Sequence, residues 1–315
     1  MSGITTATFG NHLIRSEVWS DELKQILEDE LQGLRFVRML TDFPDGDQFN
    51  IPSIGQSVVD QYVENRPVQY RSLDTGEFTF RITEYESSAT YITEKTLQDS
   101  YKAQEVLSQF VPSQNRALMA SLENKIMDLA NEQTLGDENL INGAAHRAIA
   151  TGTNKVVTLA DFAKAKYALK KANVPDENLV AIVDPSVELE LDKLSNIVNV
   201  SNNPNMDGIV SSGIGQGMRF VKNIYGFDVF TSNRLAEVPT ETIDGTSVTN
   251  AAANMFFSAS QDILPFVGAI RQMPKVDSGY NKDMQREEFI TTMRYGLKLF
   301  RPENLYVLLS ATDQV

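Results

Sequence analysis

Residues 48–95 read QFNIPSIGQSVVDQYVENRPVQYRSLDTGEFTFRITEYESSATYITEK, and this stretch decides the architecture. Phe49-Asn50-Ile51-Pro52 starts a strand, and Val58, Gln61, Tyr62 and Val63 continue in extended style. Gln69-Tyr70-Arg71 leads to a turn at Asp74-Thr75-Gly76. Beyond it, Phe78, Phe80 and Ile82 alternate with Thr79, Arg81 and Thr83, the period of two expected of a strand with one covered face. Tyr85 to Thr93 is β-rich again, and the whole segment carries no helix signal. A two-stranded ribbon is marginal alone in water. Yet Tyr62, Val68, Tyr70, Phe78, Phe80 and Ile82 are too apolar for disorder. Their cover has to come from another part of the chain or from a neighbouring copy.

Upstream, residues 1–15 show no periodicity and read as an arm ordered only by a partner. Trp19, Leu23, Ile26, Leu27, Leu31 and Leu34 then repeat at helical spacing behind a start at Ser20-Asp21-Glu22. Asp42-Phe43-Pro44-Asp45-Gly46-Asp47 reads as a turn, and its carboxylates lack the spacing of a calcium loop. Downstream, Leu97 to Phe110 is helical, with a break or a new first turn expected at Pro112. Leu118, Met119, Leu122, Ile126 and Leu129 form the buried stripe of a long amphipathic helix, with Glu123 and Asn124 on its polar side.

Residues 137–157 read as a loop. Leu159 to Ala172 is helical, with Thr158 and Asp161 near its start. Leu179-Val180-Ala181-Ile182-Val183 is apolar throughout, which marks a strand covered on both faces. Asp184-Pro185 supplies an N-cap and a first-position proline for a helix to about Leu194. Ser201 to Gly217 reads as an exposed loop, Phe220 to Phe230 as strands around a Tyr225-Gly226 turn, and Ala236 to Asn250 as polar and turn-rich. Met255-Phe256-Phe257, Leu264 to Ile270 and two runs within Ile290 to Leu309 complete the strands.

The composition narrows the chemistry. The 315 residues include no cysteine, so disulfides and thiolate metal sites are excluded. The two histidines, His12 and His146, read as structural or surface residues and sit in no zinc-binding pattern. Gly213-Ile214-Gly215-Gln216-Gly217 lacks the glycine offset and the strand-to-helix setting of a nucleotide loop. No G-x-S-x-G elbow occurs, and Glu28-Asp29-Glu30 reads as a solvated helix face. The formal charge is −14, whereas gripping nucleic acid takes clusters of Lys and Arg. The densest cluster, Lys164, Lys166, Lys170 and Lys171, reads as another solvated helix face. No run approaches the roughly 20 apolar residues that span a bilayer, and no signal peptide is expected. A hydrolase acting on polysaccharide through carboxylates far apart in the chain stays open at this point.

Taken in order, these elements resemble the major capsid proteins of tailed bacteriophages, the Hong Kong 97 type. Asp60-Gln61-Tyr62-Val63-Glu64 to Ile82 resembles the family's extended loop, and Tyr85 to Ser100 its passage into the spine helix. Leu179 to Asp184 followed by Pro185 resembles its strand-then-helix step. Gly226-Phe227-Asp228-Val229 resembles a recurring strand, and Tyr295-Gly296 with Arg301-Pro302-Glu303 the closing signature.

The resemblance implies an α+β capsid fold and no enzymatic activity. Residues 1–47 would be an N-terminal arm with an amphipathic helix, and 48–95 the extended loop. Residues 96–157 and 259–315 would form the peripheral domain with the spine helix, and 158–258 the axial domain. It also implies self-assembly into pentamers and hexamers of an icosahedral head shell around double-stranded DNA, held without specific binding. Tyr62, Arg66, Val68, Tyr70, Arg71, Phe78, Phe80 and Arg81 would meet an adjacent subunit. Asn203, Asn205, Asp207, Gly213 and Gly215 would sit at the capsomer centre. No lysine lies between Asp45 and Glu94, so a lysine–asparagine crosslink from this loop is ruled out. The short arm implies a separate scaffolding protein. A portal at one vertex and room for a decoration protein follow from the same likeness. Assembly would occur in the bacterial host cytoplasm, with no membrane and no cofactor. The competing readings are the shell of an encapsulin-like cargo compartment and a β-rich binding module of a phage tail or surface.

Overall fold

The structure, a computed structural model, describes residues 33–40, 48–54, 61, 64–65, 67, 75–99, 103–133, 140–193 and 222–312. All but the last two residues of the helix expected from Trp19 to Leu34, the acidic turn at 42–47 and the loop 201–217 lie outside them; Gly33–Phe36 forms a short 3-10 turn.

A four-stranded sheet runs in the order β1 (Val37–Met39), β13 (Phe266–Asn281), β14 (Arg286–Leu299), β4 (Glu84–Thr93). Only the β1–β13 pair is parallel. The helix α1 (Glu94–Asp99) leads from β4 towards α2 (Ala103–Asp128), which backs this sheet. Leu118, Leu122 and Ile126 of α2, with Leu129 in the 3-10 turn that follows it, share a core with Met293 and Tyr295 of β14. Gln114 fixes the helix on the sheet, accepting from the Thr291 hydroxyl at 2.8 Å and donating to the Phe289 carbonyl at 3.3 Å. The break expected at Pro112 does not occur, because α2 runs through it. An interior proline costs about 3 kcal/mol, and the buried stripe that follows it offsets that loss.

The second sheet has seven strands, ordered β7 (Arg147–Ile149), β15 (Tyr306–Ala311), β12 (Thr246–Ser258), β8 (Leu179–Val183), β10 (Phe227–Thr231), β9 (Lys222–Ile224), with β11 (Glu237–Ile243) on the outer half of β12. All five residues of β8 are buried, and they divide between two cores. Val180 and Ile182 join the core shared with α2, while Leu179, Ala181 and Val183 join one under α3 (Leu159–Lys171). β12 splits in the same way at Met255, Phe256 and Phe257, and β15 at Tyr306, Val307, Leu308 and Leu309. The α3 core centres on Phe162, edge-on to Phe256 at 5.1 Å. Thr158 and Asp161 close a capping box at the start of α3. The Asp184 carboxylate accepts the Ser186 amide at 2.9 Å and opens α4 (Pro185–Lys193).

Several expectations need correcting. The ribbon strand starts at Thr75, so Thr75 and Gly76 belong to it and not to a turn. Residues 137–157 contain β7 and the two-residue strands β5 (Leu140–Ile141) and β6 (Ala144–Ala145). The polar stretch 236–250 is mostly the β11–β12 hairpin, turned by Asp244 and Gly245 at φ 49° and 74°. Only Ala236, Val238, Ile243 and Val248 there are buried apolar residues, so a strand pattern is nearly invisible in the sequence. Sheet membership does not follow chain order. β7 and β15 complete the sheet of the 158–258 lobe, and β4 belongs to the four-stranded sheet instead of to a free loop.

Two buried ionic groups tie elements together. Glu123, expected on the polar side of α2, is 1% exposed, and both its oxygens accept the Gly33 N–H, at 2.7 and 2.8 Å. A Cβ at Gly33 would lie 2.7 Å from the carboxylate, so a larger residue there would push the Glu123 carboxylate out of this position. Arg147 grips both oxygens of Glu241 at 2.7 and 2.6 Å and donates to the Ala130 and Gln133 carbonyls at 3.2 and 3.0 Å. It therefore joins the chain just beyond α2 to the seven-stranded sheet. Arg147→Met should lower the unfolding free energy of the unassembled subunit by about 3 kcal/mol in urea denaturation, because a partly buried carboxylate and two backbone carbonyls lose their partner.

Candidate inter-subunit surface

The ribbon is β2 (Gln48–Ile54) paired antiparallel with β3 (Thr75–Arg81), with Phe49 opposite Phe80 and Ile51 opposite Phe78. Its base lies on the chain's own four-stranded sheet. Phe80 is 0% exposed and clusters with Ile82, Val267 and Ala269. That corrects the expectation for Phe80: its cover is β13 of the same chain, so it is no contact for a neighbour. Phe78 is half-buried, edge-on to Phe300 at 4.9 Å. The Lys298 ammonium lies 4.9 Å from the Phe78 ring centre and donates to the Thr79 carbonyl at 3.1 Å. Arg81 is exposed and donates to the Gln48 side chain at 3.1 Å. Tyr62, Arg66, Val68, Tyr70 and Arg71 lie outside the described residues, as do Asn203, Asn205, Asp207, Gly213 and Gly215.

Gly296 makes the close seating of the ribbon base possible. A Cβ there would lie 2.6 Å from the Arg81 carbonyl oxygen and 2.9 Å from the Ile82 Cα, both backbone atoms that cannot swing away.

Sequence reading missed the surface next to the ribbon. Of eleven large apolar side chains exposed among the described residues, seven lie on β4, β13, β14 or the turn between the last two. They are Tyr85, Tyr91, Met273, Val276, Tyr280, Met284 and Ile290, with Tyr85 64% and Tyr91 57% exposed. Residues directly opposite in an antiparallel pair share a face. Tyr85 and Tyr91 therefore stand on one face with Arg294 and Glu288, their partners on β14. Arg286 lies 4.4 Å from the Tyr91 ring centre and donates to Glu288 at 2.6 Å. The Arg286 hydrogen bond, helped by Asn281, holds the Glu288 carboxyl below its ordinary range. The Tyr280 hydroxyl donates to Glu94 at 2.7 Å, and that bond raises its pKa. Alternation in Tyr85-Glu86-Ser87-Ser88-Ala89-Thr90-Tyr91 was the available signal.

The lysine cluster on α3 behaves as a solvated face. Lys166 and Lys170 bridge Asp176 at 3.1 and 2.9 Å, and the Lys170 bond comes first in lowering that carboxyl's pKa. His146 is fully buried, with Nδ1 3.1 Å from the Ala144 carbonyl. Among the described residues no group of three His, Asp or Glu side chains converges as a metal site, and no helix is long and apolar enough to cross a membrane.

Residues 76–308 match the sequence model of a family described as phage capsid protein. The chain belongs to that family. Its fold is the Hong Kong 97-like capsid fold. The cyanophage P-SCSP1u capsid structure aligns with a TM-score of 0.70 at 15% identity, covering 99% of this chain and 96% of that one. The mature capsid of bacteriophage PhiM1 aligns with a TM-score of 0.68 at 10% identity, over 96% and 93%. A chain of Mycobacterium phage Che8 aligns with a TM-score of 0.67 at 17% identity, over 94% and 97%. No curated protein matches the sequence significantly. The capsid protein is thus a structural shell component of a virion. Gly296→Ala in this capsid protein should lower the unfolding free energy by about 2 kcal/mol, measured by urea denaturation, because the added carbon overpacks a backbone contact.

Proposed function

We propose that this capsid protein joins head to tail into pentamers and hexamers and closes an icosahedral head around double-stranded DNA. The observation that carries the reading is the gathering of exposed aromatic and aliphatic side chains on the β4–β14–β13 sheet and its hairpin, beside the ribbon. A monomer gains nothing from such a surface, whereas a copy laid against it removes the apolar area from water. A contact of this kind repeats around a ring until rotation closes it.

The four-stranded sheet with α2 would be the peripheral lobe and the seven-stranded sheet with α3 and α4 the axial lobe. The segment between α4 and β9, with Asn203, Asn205, Asp207, Gly213 and Gly215, would reach the capsomer centre. Tyr62, Val68 and Tyr70, flanked by Arg66 and Arg71, would lie over the adjacent subunit together with Phe78 and Arg81 at the ribbon's base. A wall charged −14 per chain contains DNA without gripping it. A separate scaffolding protein and a portal at one vertex complete the assembly in the host cytoplasm, and a decoration protein could bind the finished outer surface.

The test is expression with a candidate scaffolding protein, followed by negative-stain imaging and identification of the contents. Closed shells holding nucleic acid are expected. Shells that enclose an enzyme instead would indicate a cargo compartment, and a small fixed oligomer would remove the shell reading altogether. Tyr62→Asp combined with Tyr70→Asp should leave subunits folded by circular dichroism and unable to assemble. Normal shells from that double variant would refute the overlap of the ribbon on its neighbour. Phe80→Asp cannot serve here, because it buries a charge inside the subunit itself.

A further inference from the structure

An open sheet edge presents unpaired N–H and C=O groups, and proteins blunt the edges they do not use with short strands, prolines, charges or bulges. Among the described residues, most edges of the two larger sheets follow this rule. β1, β7 and β9 are three residues each. β11 carries Pro239 and skips a pairing there. The half of β13 beyond β1 contains Pro274, Lys275 and two register shifts. β4 has ten residues in unbroken register with β14 and contains no proline, glycine or lysine.

The direction of its free groups follows from one hydrogen bond. The Glu94 N–H donates to the Gln285 carbonyl at 3.0 Å, continuing the register in which Thr93 faces Arg286. In an antiparallel ladder, directly opposite residues alternate between exchanging hydrogen bonds and turning both groups away. Even-numbered residues of β4 therefore bond to β14. Tyr85, Ser87, Ala89, Tyr91 and Thr93 point their N–H and C=O groups outward. None of the five carries a charge, and the side chains of the first four are exposed. Among the described residues, no backbone hydrogen bond reaches these five from elsewhere in the chain.

We propose that the free edge of β4 is a docking site for an extended strand from a second copy of this chain. The pairing would be main-chain β-augmentation, with Tyr85 and Tyr91 flanking the added strand. A second copy is the occupant because the edge runs, through Ile82 and Thr83, directly out of the ribbon and belongs to the sheet that carries, with its hairpin turn, most of the large apolar side chains exposed among the described residues. An edge left this open in a chain that must stay soluble before assembly suits a partner present at the same concentration. The proposal rests on the shell reading and adds to it the specific row of amides that is used.

Residue-resolved hydrogen exchange on free subunits and on assembled shells tests it. The amides of Tyr85, Ser87, Ala89 and Tyr91 should exchange rapidly in the free subunit and roughly 100-fold more slowly in shells, while those of Ser88 and Thr90 are protected in both. Shells whose odd-numbered amides stay fast would overturn the proposal and leave the shell reading intact. Slow exchange already in the free subunit would show cover by the chain itself, and protection of the unassembled subunit on adding scaffolding protein would assign the edge to that partner; either result overturns the proposal. A subunit that never assembles removes both readings. Ala89→Pro deletes one outward N–H and no ladder bond. Its urea midpoint should match the parent's while shell yield falls on the order of tenfold. Should that variant fold poorly, Ala89→Lys places a charge on the same edge, and undiminished shell yield from a folded Ala89→Lys subunit counts against the proposal.

Discussion

β8, β12 and β15 each send alternate side chains into two separate cores, and the need to cover both faces of these strands places much of what surrounds them. α3 covers one face through Phe162, Ala165 and Leu169. The other face meets Phe36, Phe266 and the stripe of α2, which is also the stripe that backs the four-stranded sheet. Both sheets thus share one helix as a common wall. The arrangement brings distant parts of the chain together, because β15 returns from far along the sequence to sit beside β12.

Where burial decides an element, the residues announce it. Leu179 to Val183 is apolar at every position because both sides of the strand are covered, and the capping pair Thr158 and Asp161 marks the start of α3. The period-two run from Phe78 to Ile82 announces a strand but not who covers it. Phe80 and Ile82 are sheltered by Val267 and Ala269, nearly two hundred positions away, and no local pattern carries that pairing. Glu123 is hidden for a similar reason. A glutamate on a helix reads as solvent-facing until Gly33 brings a backbone donor to it. The β11–β12 hairpin stays invisible because main-chain pairing needs few apolar side chains.

The candidate surface divides along the same line. The aromatic character of the ribbon was legible, and so was the absence of catalytic spacing in a chain with no cysteine and two histidines. The exposed patch on β4 and the β13–β14 hairpin was not. Its members are spread from Tyr85 to Ile290 and become neighbours only through strand register. An exposed tyrosine also looks the same in sequence as a buried one. What separates them is whether the chain has anything left to lay on top, and that is a property of the finished topology.

The direct passage of the ribbon into β4 has a mechanical consequence. β4 is held by β14 along its entire length, and β14 in turn by β13. Tension applied to the ribbon along the strand axis would therefore load many backbone bonds at once in shear, instead of peeling them one after another. Gly296 keeps the ribbon's base seated closely on β14, where this load path begins. Strain arising as a container changes size would then concentrate at the joints between molecules, leaving each molecule's interior nearly undeformed.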